Sequence, residues 1–168
     1  MIPDSIIEYL QRHRVPFERR SHFRALRAQS LAASLHVTGF QVAKTVIIHA
    51  SDRLWLCVVS APDTVDLGRV AEMLGVRRLR LAEESEFVDL FPQCEPGAEP
   101  PFGQLYGLPV VVDEHLRHAG RLLFRAGSHT EAIELRFEDF LQLEEPLLGH
   151  IVRDRPRELA YAPAELHA

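Results

Sequence analysis

The sequence TVIIHASDRLWLCVVS, residues 45–60, contains two apolar segments rich in β-branched residues, with three polar residues between them. Such segments favour β-strands, and a short polar connection between two of them is typical of a hairpin. The pattern therefore predicts strands over 45–50 and 54–60, joined by a turn over 51–53. Cys57 lies inside the second strand, where we expect it to be a small buried hydrophobic residue.

Other helices and strands are predicted on both sides of this hairpin. Apolar residues at helical spacing and good helix formers predict helices over 3–10, 28–35, 66–74, 83–90 and 137–143. Short apolar or alternating segments predict strands over 110–113, 121–124 and 132–135. Four prolines and two glycines within residues 91–103 exclude a regular element there.

This mixture of hairpin, strands and flanking helices predicts an α+β fold built on a mixed or antiparallel sheet. At 168 residues the chain fits one domain, which we expect to span residues 1–146. The pattern weakens after Pro146, so residues 147–168 are predicted to form a C-terminal tail that is flexible or loosely docked.

The composition narrows the class of protein. No apolar run is long enough to cross a membrane, and the N-terminus lacks the features of a secretory signal. Two cysteines cannot form a framework of disulfides, which favours a reducing, cytoplasmic setting. The net charge of −5 argues against a broad contact with nucleic acid. We therefore expect no DNA binding, and any nucleic-acid ligand should be held at a small contact.

Lys44 is the single lysine in the sequence, against eighteen arginines, and it directly precedes the first predicted strand. Lysine is a compact cation whose pKa falls readily on desolvation, whereas arginine stays protonated. Lys44 is therefore a candidate catalytic residue. A lysine kept by chance in an arginine-rich chain is the alternative.

The proline- and glycine-rich residues 95–103 form a second candidate site. Glycine allows close approach of a backbone to a ligand, and proline restricts the path of the chain. The amides of four residues could then form a donor array for a carbonyl oxygen or an oxyanion: Gly97, Ala98, Phe102 and Gly103. The alternative is a purely structural Ω-type loop.

The third candidate is the turn Gly127-Ser128-His129, which could present His129 to a pocket as a hydrogen-bond partner or proton carrier. The alternative is an ordinary surface histidine. Metal ligands at a recognisable spacing are lacking, so we expect neither a metal nor another cofactor. A nucleophilic Cys94 assisted by His129, in an unrelated hydrolase, is a further alternative.

Three motifs together resemble the YbaK family, the aminoacyl-tRNA deacylases related to the editing domain of bacterial prolyl-tRNA synthetase. The motifs are Val42-Ala43-Lys44-Thr45-Val46, then Gly97-Ala98-Glu99-Pro100-Pro101-Phe102-Gly103, then Ala126-Gly127-Ser128-His129. Glu99 stands where the family usually has an apolar residue, and Pro100 where relatives of known activity often have serine. These departures bear on the amino acid accepted, and not on the reaction class.

The resemblance implies a mixed, barrel-like β-sheet wrapped by helices, and a trans-editing hydrolase that deacylates mischarged tRNA. Cysteine or alanine on the proline tRNA is the typical substrate, and prolyl-tRNA synthetase is the implied partner beside the aminoacyl-tRNA acceptor end. Lys44 then matches the essential lysine, acting as a donor or a base. Gly97 and Pro101 match the family's substrate-binding loop. The other candidates for substrate binding are Thr45, Ala98, Phe102, Gly103, Gly127 and His129. A non-catalytic module that binds aminoacyl-tRNA ends or a synthetase is the alternative.

Overall fold

The computed structural model describes residues 1–21 and 42–154. The helix predicted over 28–35 lies outside these residues. The described helices are α1 (Asp4–Arg12), α2 (Leu67–Leu74), α3 (Glu84–Phe87), α4 (Gly103–Tyr106) and α5 (Phe137–Glu144), with 3-10 turns at Val88–Leu90 and Glu114–Ala119. The described strands are β1 (Glu18–Ser21), β2 (Ala43–Ala50), β3 (Arg53–Ser60), β4 (Leu79–Leu81), β5 (Val110–Asp113), β6 (Arg121–Arg125), β7 (Glu131–Arg136) and β8 (Leu147–Gly149).

The predicted hairpin forms the centre of a five-stranded mixed sheet, in the order β4-β2-β3-β5-β8. Lys44 pairs with Val59 near the open end of the hairpin, and Ala50 pairs with Arg53 beside the turn. β3 runs parallel to β5, which in turn runs parallel to β8. The start of β2, which carries Lys44, therefore lies at the end of the sheet opposite the hairpin turn.

A second, three-stranded antiparallel sheet has the order β1-β7-β6. One parallel bridge, between Val42 and Leu123, connects it to the five-stranded sheet. The α+β prediction is confirmed. The two sheets are not closed into a single barrel among the described residues. The bridge brings the middle of β6 beside the residue that precedes β2, and this junction positions the candidate site.

The five-stranded sheet is buried on both faces. The larger core packs it against α1, α5 and the second sheet through large side chains such as Phe102, Phe124 and Phe140. The smaller core lies under α2 and contains Cys57, which is fully buried. Burial raises the pKa of the Cys57 thiol to about 12. Cys57 is therefore a buried, unreactive core residue, as expected.

Residues 147–152, which the sequence placed in a loosely docked tail, are instead part of the domain. β8 extends the sheet beside β5, and Ile151 and Val152 are buried. The fully buried Asp113 carboxylate accepts the Ile151 N–H at 3.0 Å, and the Asp66 N–H donates to the Ile151 carbonyl at 2.8 Å. Contacts with residues far away in the sequence therefore dock a segment whose own pattern is weak. Residues 155–168 lie outside the described part of the chain.

None of the helices within 1–21 and 42–154 combines the length and apolar character needed to cross a bilayer.

Candidate active site

A cavity of about 420 Å³ lies at the junction of the two sheets. Four segments of the chain contribute to its wall: the start of β2, the turn after β3, the proline-rich loop and the end of β6. The residues are Ala43, Lys44, Thr45, Ala61, Pro62, Thr64, Gly97, Glu99, Phe124 and Arg125. Lys44, Thr45 and Gly97, which come from two separate sequence motifs, therefore share one cavity.

Lys44 is a half-buried cation in the wall of this cavity. Desolvation lowers the pKa of its ammonium group, and the negative charge of the buried Asp63 partly opposes that shift. Burial disfavours the charged form of the amine, whereas the nearby carboxylate of Asp63 favours it. Lys44 is thus both a donor and a group that loses its proton more readily than an exposed lysine.

Backbone hydrogen bonds hold the proline-rich loop against the turn after β6. The Gly127 N–H donates to the Ala98 carbonyl at 2.7 Å, and the Glu95 N–H donates to the Gly127 carbonyl at 3.0 Å. Gly127 has φ of 80°, and a Cβ there would lie 2.7 Å from Pro3 Cδ. Gly127 therefore has a structural reason to be glycine, and it is not among the described residues that line the cavity.

His129 is buried behind the loop rather than exposed in the cavity. Its Nε2 lies 2.8 Å from the Pro96 carbonyl oxygen. Because a carbonyl can only accept, Nε2 must carry the proton. The His129 N–H also donates to the Glu95 carboxylate at 2.6 Å. The geometry makes His129 a positioning residue for the loop.

Two oppositely charged side chains hold the backbone of Gly97. The Glu99 carboxylate accepts the Gly97 N–H at 3.1 Å, and Arg125 Nη1 donates to the Gly97 carbonyl at 3.1 Å. Gly97 itself has φ of 84°, a left-handed conformation that favours glycine. The two contacts hold the peptide groups on either side of Gly97, which lines the same cavity as Lys44.

The donor array expected in the loop is not assembled in this structure. The Gly97 N–H is bonded to Glu99, and the Ala98 N–H donates to the Glu95 carbonyl at 3.0 Å. Pro101, Phe102 and Gly103 are buried away from the cavity. The expectation considered only the order of prolines and glycines, whereas acceptors contributed by side chains and by other parts of the loop determine which amides remain free.

Phe102 and Gly103 have structural roles. Phe102 is fully buried and contacts Phe124, a wall residue of the cavity, with ring centroids 5.2 Å apart. Gly103 begins α4, and a Cβ at this position would lie 2.2 Å from the Leu108 carbonyl oxygen. Phe102 therefore supports the wall from behind, and Gly103 allows α4 to pack closely against the Leu108 backbone.

Arg125 is the main cavity residue that the sequence did not indicate. It is half-buried at the end of β6, and desolvation lowers the pKa of its guanidinium group. Nothing in the local pattern distinguished it from the other arginines. The adjacent Ala126-Gly127 turn was the nearest signal, since it ends the strand at the cavity.

The structure gives little support to metal or thiol chemistry. In residues 1–21 and 42–154, no group of three or more His, Cys, Asp or Glu side chains is arranged to hold a metal ion. Burial raises the pKa of Cys94, whose sulfur lies 3.7 Å from the Tyr106 hydroxyl. A raised pKa opposes formation of the thiolate that a nucleophilic cysteine requires.

The fold is shared with several solved structures, each similar over about nine-tenths of this chain. A hypothetical protein has a TM-score of 0.81 and 17% identity, with 89% of this chain and 99% of that chain covered. A candidate trans-editing enzyme for prolyl-tRNA synthetase has a TM-score of 0.77 and 20% identity, covering 90% and 96%. A scaffold protein used for computational epitope grafting has a TM-score of 0.77 and 19% identity, covering 90% and 97%. At these identities the likeness establishes the fold alone.

The sequence pattern of the aminoacyl-tRNA editing domain matches residues 24–143, which is most of the chain. The chain therefore belongs to the aminoacyl-tRNA editing domain family, which confirms the YbaK-type resemblance of its motifs. No curated protein sequence matched the chain.

Proposed function

We propose that this protein is a trans-editing aminoacyl-tRNA deacylase, which hydrolyses the ester between a wrong amino acid and the 3′ end of tRNA. The observation that carries the proposal is the shared cavity of Lys44 and Gly97, in a chain that belongs to the editing-domain family. Its volume of about 420 Å³ is within the range of small-molecule sites.

In the proposed reaction a water molecule attacks the ester carbonyl carbon, and the bond to the ribose oxygen breaks. The proton from water ends on the ribose oxygen, so the products are the free amino acid and a tRNA with an intact terminal hydroxyl. An ester needs less activation than an amide, and no covalent nucleophile is required. Positioning and charge stabilisation supply the catalysis.

Lys44 is assigned to donate to the oxygen that becomes negative in the transition state. One such donor contributes about 3–4 kcal/mol to catalysis. Thr45 lies beside it in the cavity wall and is assigned to substrate binding. Glu99 is the single carboxylate among the described wall residues. One of its oxygens accepts the Gly97 N–H, and we assign the other to the α-ammonium group of the substrate.

The proposed substrates are cysteine or alanine esterified to the proline tRNA, with prolyl-tRNA synthetase as the partner that delivers them. The similar structure of a candidate trans-editing enzyme for prolyl-tRNA synthetase supports this choice. The net charge of −5 also supports it, because an acidic chain binds free tRNA weakly without a partner. The proposed location is the cytoplasm, where charged tRNA is used.

A deacylation screen over mischarged tRNAs tests the proposal, with the wild-type protein and the Lys44→Ala and Lys44→Arg variants side by side. We expect Lys44→Ala to abolish turnover with an unchanged thermal unfolding midpoint. Lys44→Arg should fail as well, because its larger planar group cannot reproduce the donor geometry. A near-wild-type rate in the alanine variant would contradict the assignment.

One observation favours a second function, a non-catalytic module that binds aminoacyl-tRNA ends or a synthetase. The Gly97 and Ala98 amides are both occupied by acceptors within the protein. Two donors expected for the ester carbonyl are therefore committed elsewhere. Binding of mischarged tRNA without turnover of any ester in the screen would establish this second function.

A further inference from the structure

Arg125 uses only part of its hydrogen-bonding capacity. Nη1 donates to the Gly97 carbonyl at 3.1 Å, whereas Nε and Nη2 are buried and have no hydrogen-bond partner among the residues that the structure describes. A buried polar group left unpaired costs free energy, and the cost is higher when the group is charged. The Nε and Nη2 edge is therefore a pair of N–H donors that gains stability from any acceptor that reaches it.

The cavity around Arg125 carries charges of both signs. Three of its described wall residues carry charge, namely Lys44, Glu99 and Arg125. The described wall thus has two cations and one anion, while the chain as a whole has a net charge of −5. The charge of Asp63 acts on Lys44 and that of Glu99 acts on Arg125, so the charges around the cavity nearly balance. The preference for an anion therefore comes from the unpaired Nε and Nη2 donors of Arg125.

The geometry of the unpaired edge restricts the kind of anion. Nε and Nη2 point in nearly the same direction on a rigid plane, which suits two oxygens of one phosphate or one carboxylate. An aminoacyl-tRNA end presents a phosphate group close to its ester whichever amino acid it carries. A carboxylate is present in the side chains of only aspartyl and glutamyl esters.

On the basis of the proposed function, we propose that Arg125 binds the phosphate group that carries the terminal nucleoside of the tRNA. Nη1 keeps its contact with the Gly97 carbonyl, so the same side chain connects the bound phosphate to the loop that faces Lys44. Nε and Nη2 are covered in the structure. Binding therefore requires the guanidinium group and residues 96–99 to shift together, so that Nη1 keeps the Gly97 carbonyl as its acceptor while Nε and Nη2 become accessible.

The test compares two minimal substrates, a 3′-aminoacyl adenosine and the same ester carrying a 5′-phosphate. We expect the wild-type kcat/KM to be about tenfold or more higher for the phosphorylated ester, because hydrogen bonds to charged groups are worth at least that factor. Arg125→Gln should reduce the ratio of the two kcat/KM values to about one. It also removes the contact with Gly97, which lowers both rates but leaves the ratio as the specific readout.

Arg121→Gln is the matched control, since Arg121 lies on the same strand, is exposed and pairs with Glu134. We expect this variant to keep the wild-type ratio. Arg125→Lys retains the positive charge without the two-nitrogen edge, so its ratio should fall by a factor of about three or more. Arg125→Lys also takes the place of Arg125→Gln as the test variant if Arg125→Gln does not fold.

Calorimetric titration with adenosine 5′-monophosphate and with adenosine tests the same contact without turnover. The wild-type protein and Arg121→Gln should prefer the nucleotide, and Arg125→Gln should not. The titration separates the phosphate contact from the proposed function. If the protein prefers the nucleotide but hydrolyses no ester, the deacylase assignment is wrong and the phosphate contact stands.

Equal affinity of the wild-type protein for adenosine and adenosine 5′-monophosphate would overturn the phosphate contact. An unchanged preference for the nucleotide in the Arg125 variants would overturn it as well. A selective effect of Arg125→Gln on aspartyl or glutamyl esters, with no effect of the 5′-phosphate, would assign the edge to an amino-acid carboxylate. That result would also overturn the proposal.

Discussion

His129 Nε2 donates a hydrogen bond of 2.8 Å to the carbonyl oxygen of Pro96, a residue 33 positions earlier in the chain. The imidazole lies behind the loop and its Cε1 is 3.5 Å from the point where a Gly97 Cβ would be. The histidine therefore supports, from inside the protein, the glycine that faces the cavity.

The first prediction concerns this support. His129→Ala removes a buried ring and its hydrogen bond, so we expect a loss of about 2–3 kcal/mol in the free energy of unfolding, measured with denaturant. The released loop should also lower deacylation kcat/KM by about tenfold to a hundredfold, because small displacements of a positioning element are costly. His118→Ala is the control, since His118 is exposed and should change stability by less than about 0.5 kcal/mol. Wild-type stability and rate in the His129 variant would contradict this role.

The second prediction uses the lowered pKa of Lys44 to distinguish a donor from a base. Desolvation brings that pKa below its ordinary value of 10.5. A protonated donor is present below the folded-state pKa and is lost as pH rises through it. We therefore expect kcat to fall with rising pH in a window below 10.5, measured from about pH 6 to about pH 10 after subtraction of uncatalysed hydrolysis.

A general base would give the opposite slope, with kcat rising as Lys44 loses its proton in the same window. The residual rate of Lys44→Ala should neither fall nor rise with pH in this window. A falling profile that persists in this variant would assign the titration to another group.

The third prediction compares two glycines with similar positive φ angles. Gly107 has φ of 72° in the left-handed helical region and open space where a Cβ would lie, so Gly107→Ala should cost about 1–2 kcal/mol from backbone strain alone. Gly127 has φ of 80°, and its Cβ would also collide with Pro3 and with Cys94 Sγ. Gly127→Ala should therefore cost about 1–3 kcal/mol more than Gly107→Ala in denaturant unfolding. Equal losses for the two variants would show that the contact with Pro3 relaxes freely.

The fourth prediction tests the assignment of Glu99 to the α-ammonium group. Glu99→Gln keeps an oxygen to accept the Gly97 N–H while it removes the negative charge. We expect kcat/KM for esters with a free α-ammonium group to fall by about tenfold, because a hydrogen bond between two charged groups is lost. N-acetylated esters of the same amino acid provide the control and should be hydrolysed at an unchanged rate. A similar loss for both kinds of ester would instead point to an effect on the loop.

Much of the fold follows from local sequence. The β2–β3 hairpin follows from two β-branched segments around a polar turn, whose Ser51 and Asp52 have φ of 50° and 63°. Helix α2 begins where the Asp66 side chain accepts the Arg69 N–H and ends at Gly75, with φ of 67°. In each case the pattern and the structure it predicts lie within a few residues, so no distant contact is needed to interpret it.

The strands at the edges were harder to predict. β4 and β8 have three residues each, and their pairing with β2 and β5 stabilises segments too short to show a period of their own. The same reason explains why residues 147–152 were expected to be a tail. Their docking depends on Asp113, which lies 38 positions before Ile151.

The candidate site likewise contains residues that the sequence indicated and a residue that it did not. Lys44 and Gly97 could be selected from the sequence because a lone lysine and a proline-framed glycine are unusual in themselves. Arg125 could not, because its distinction is a contact with Gly97 and two nitrogens left unpaired within the described part of the chain, neither of which has a local signature.

The sequence by itself determined the hairpin, the capped helix and the irregular loop, because hydrophobic period, capping and proline geometry act over neighbouring residues. The tertiary structure alone decided that the Gly97 and Ala98 amides are bonded within the protein, which side of the loop His129 occupies, and that Arg125 joins Lys44 in one cavity. Those outcomes depend on hydrogen bonds and burial between residues tens of positions apart, which arise only once the two sheets meet.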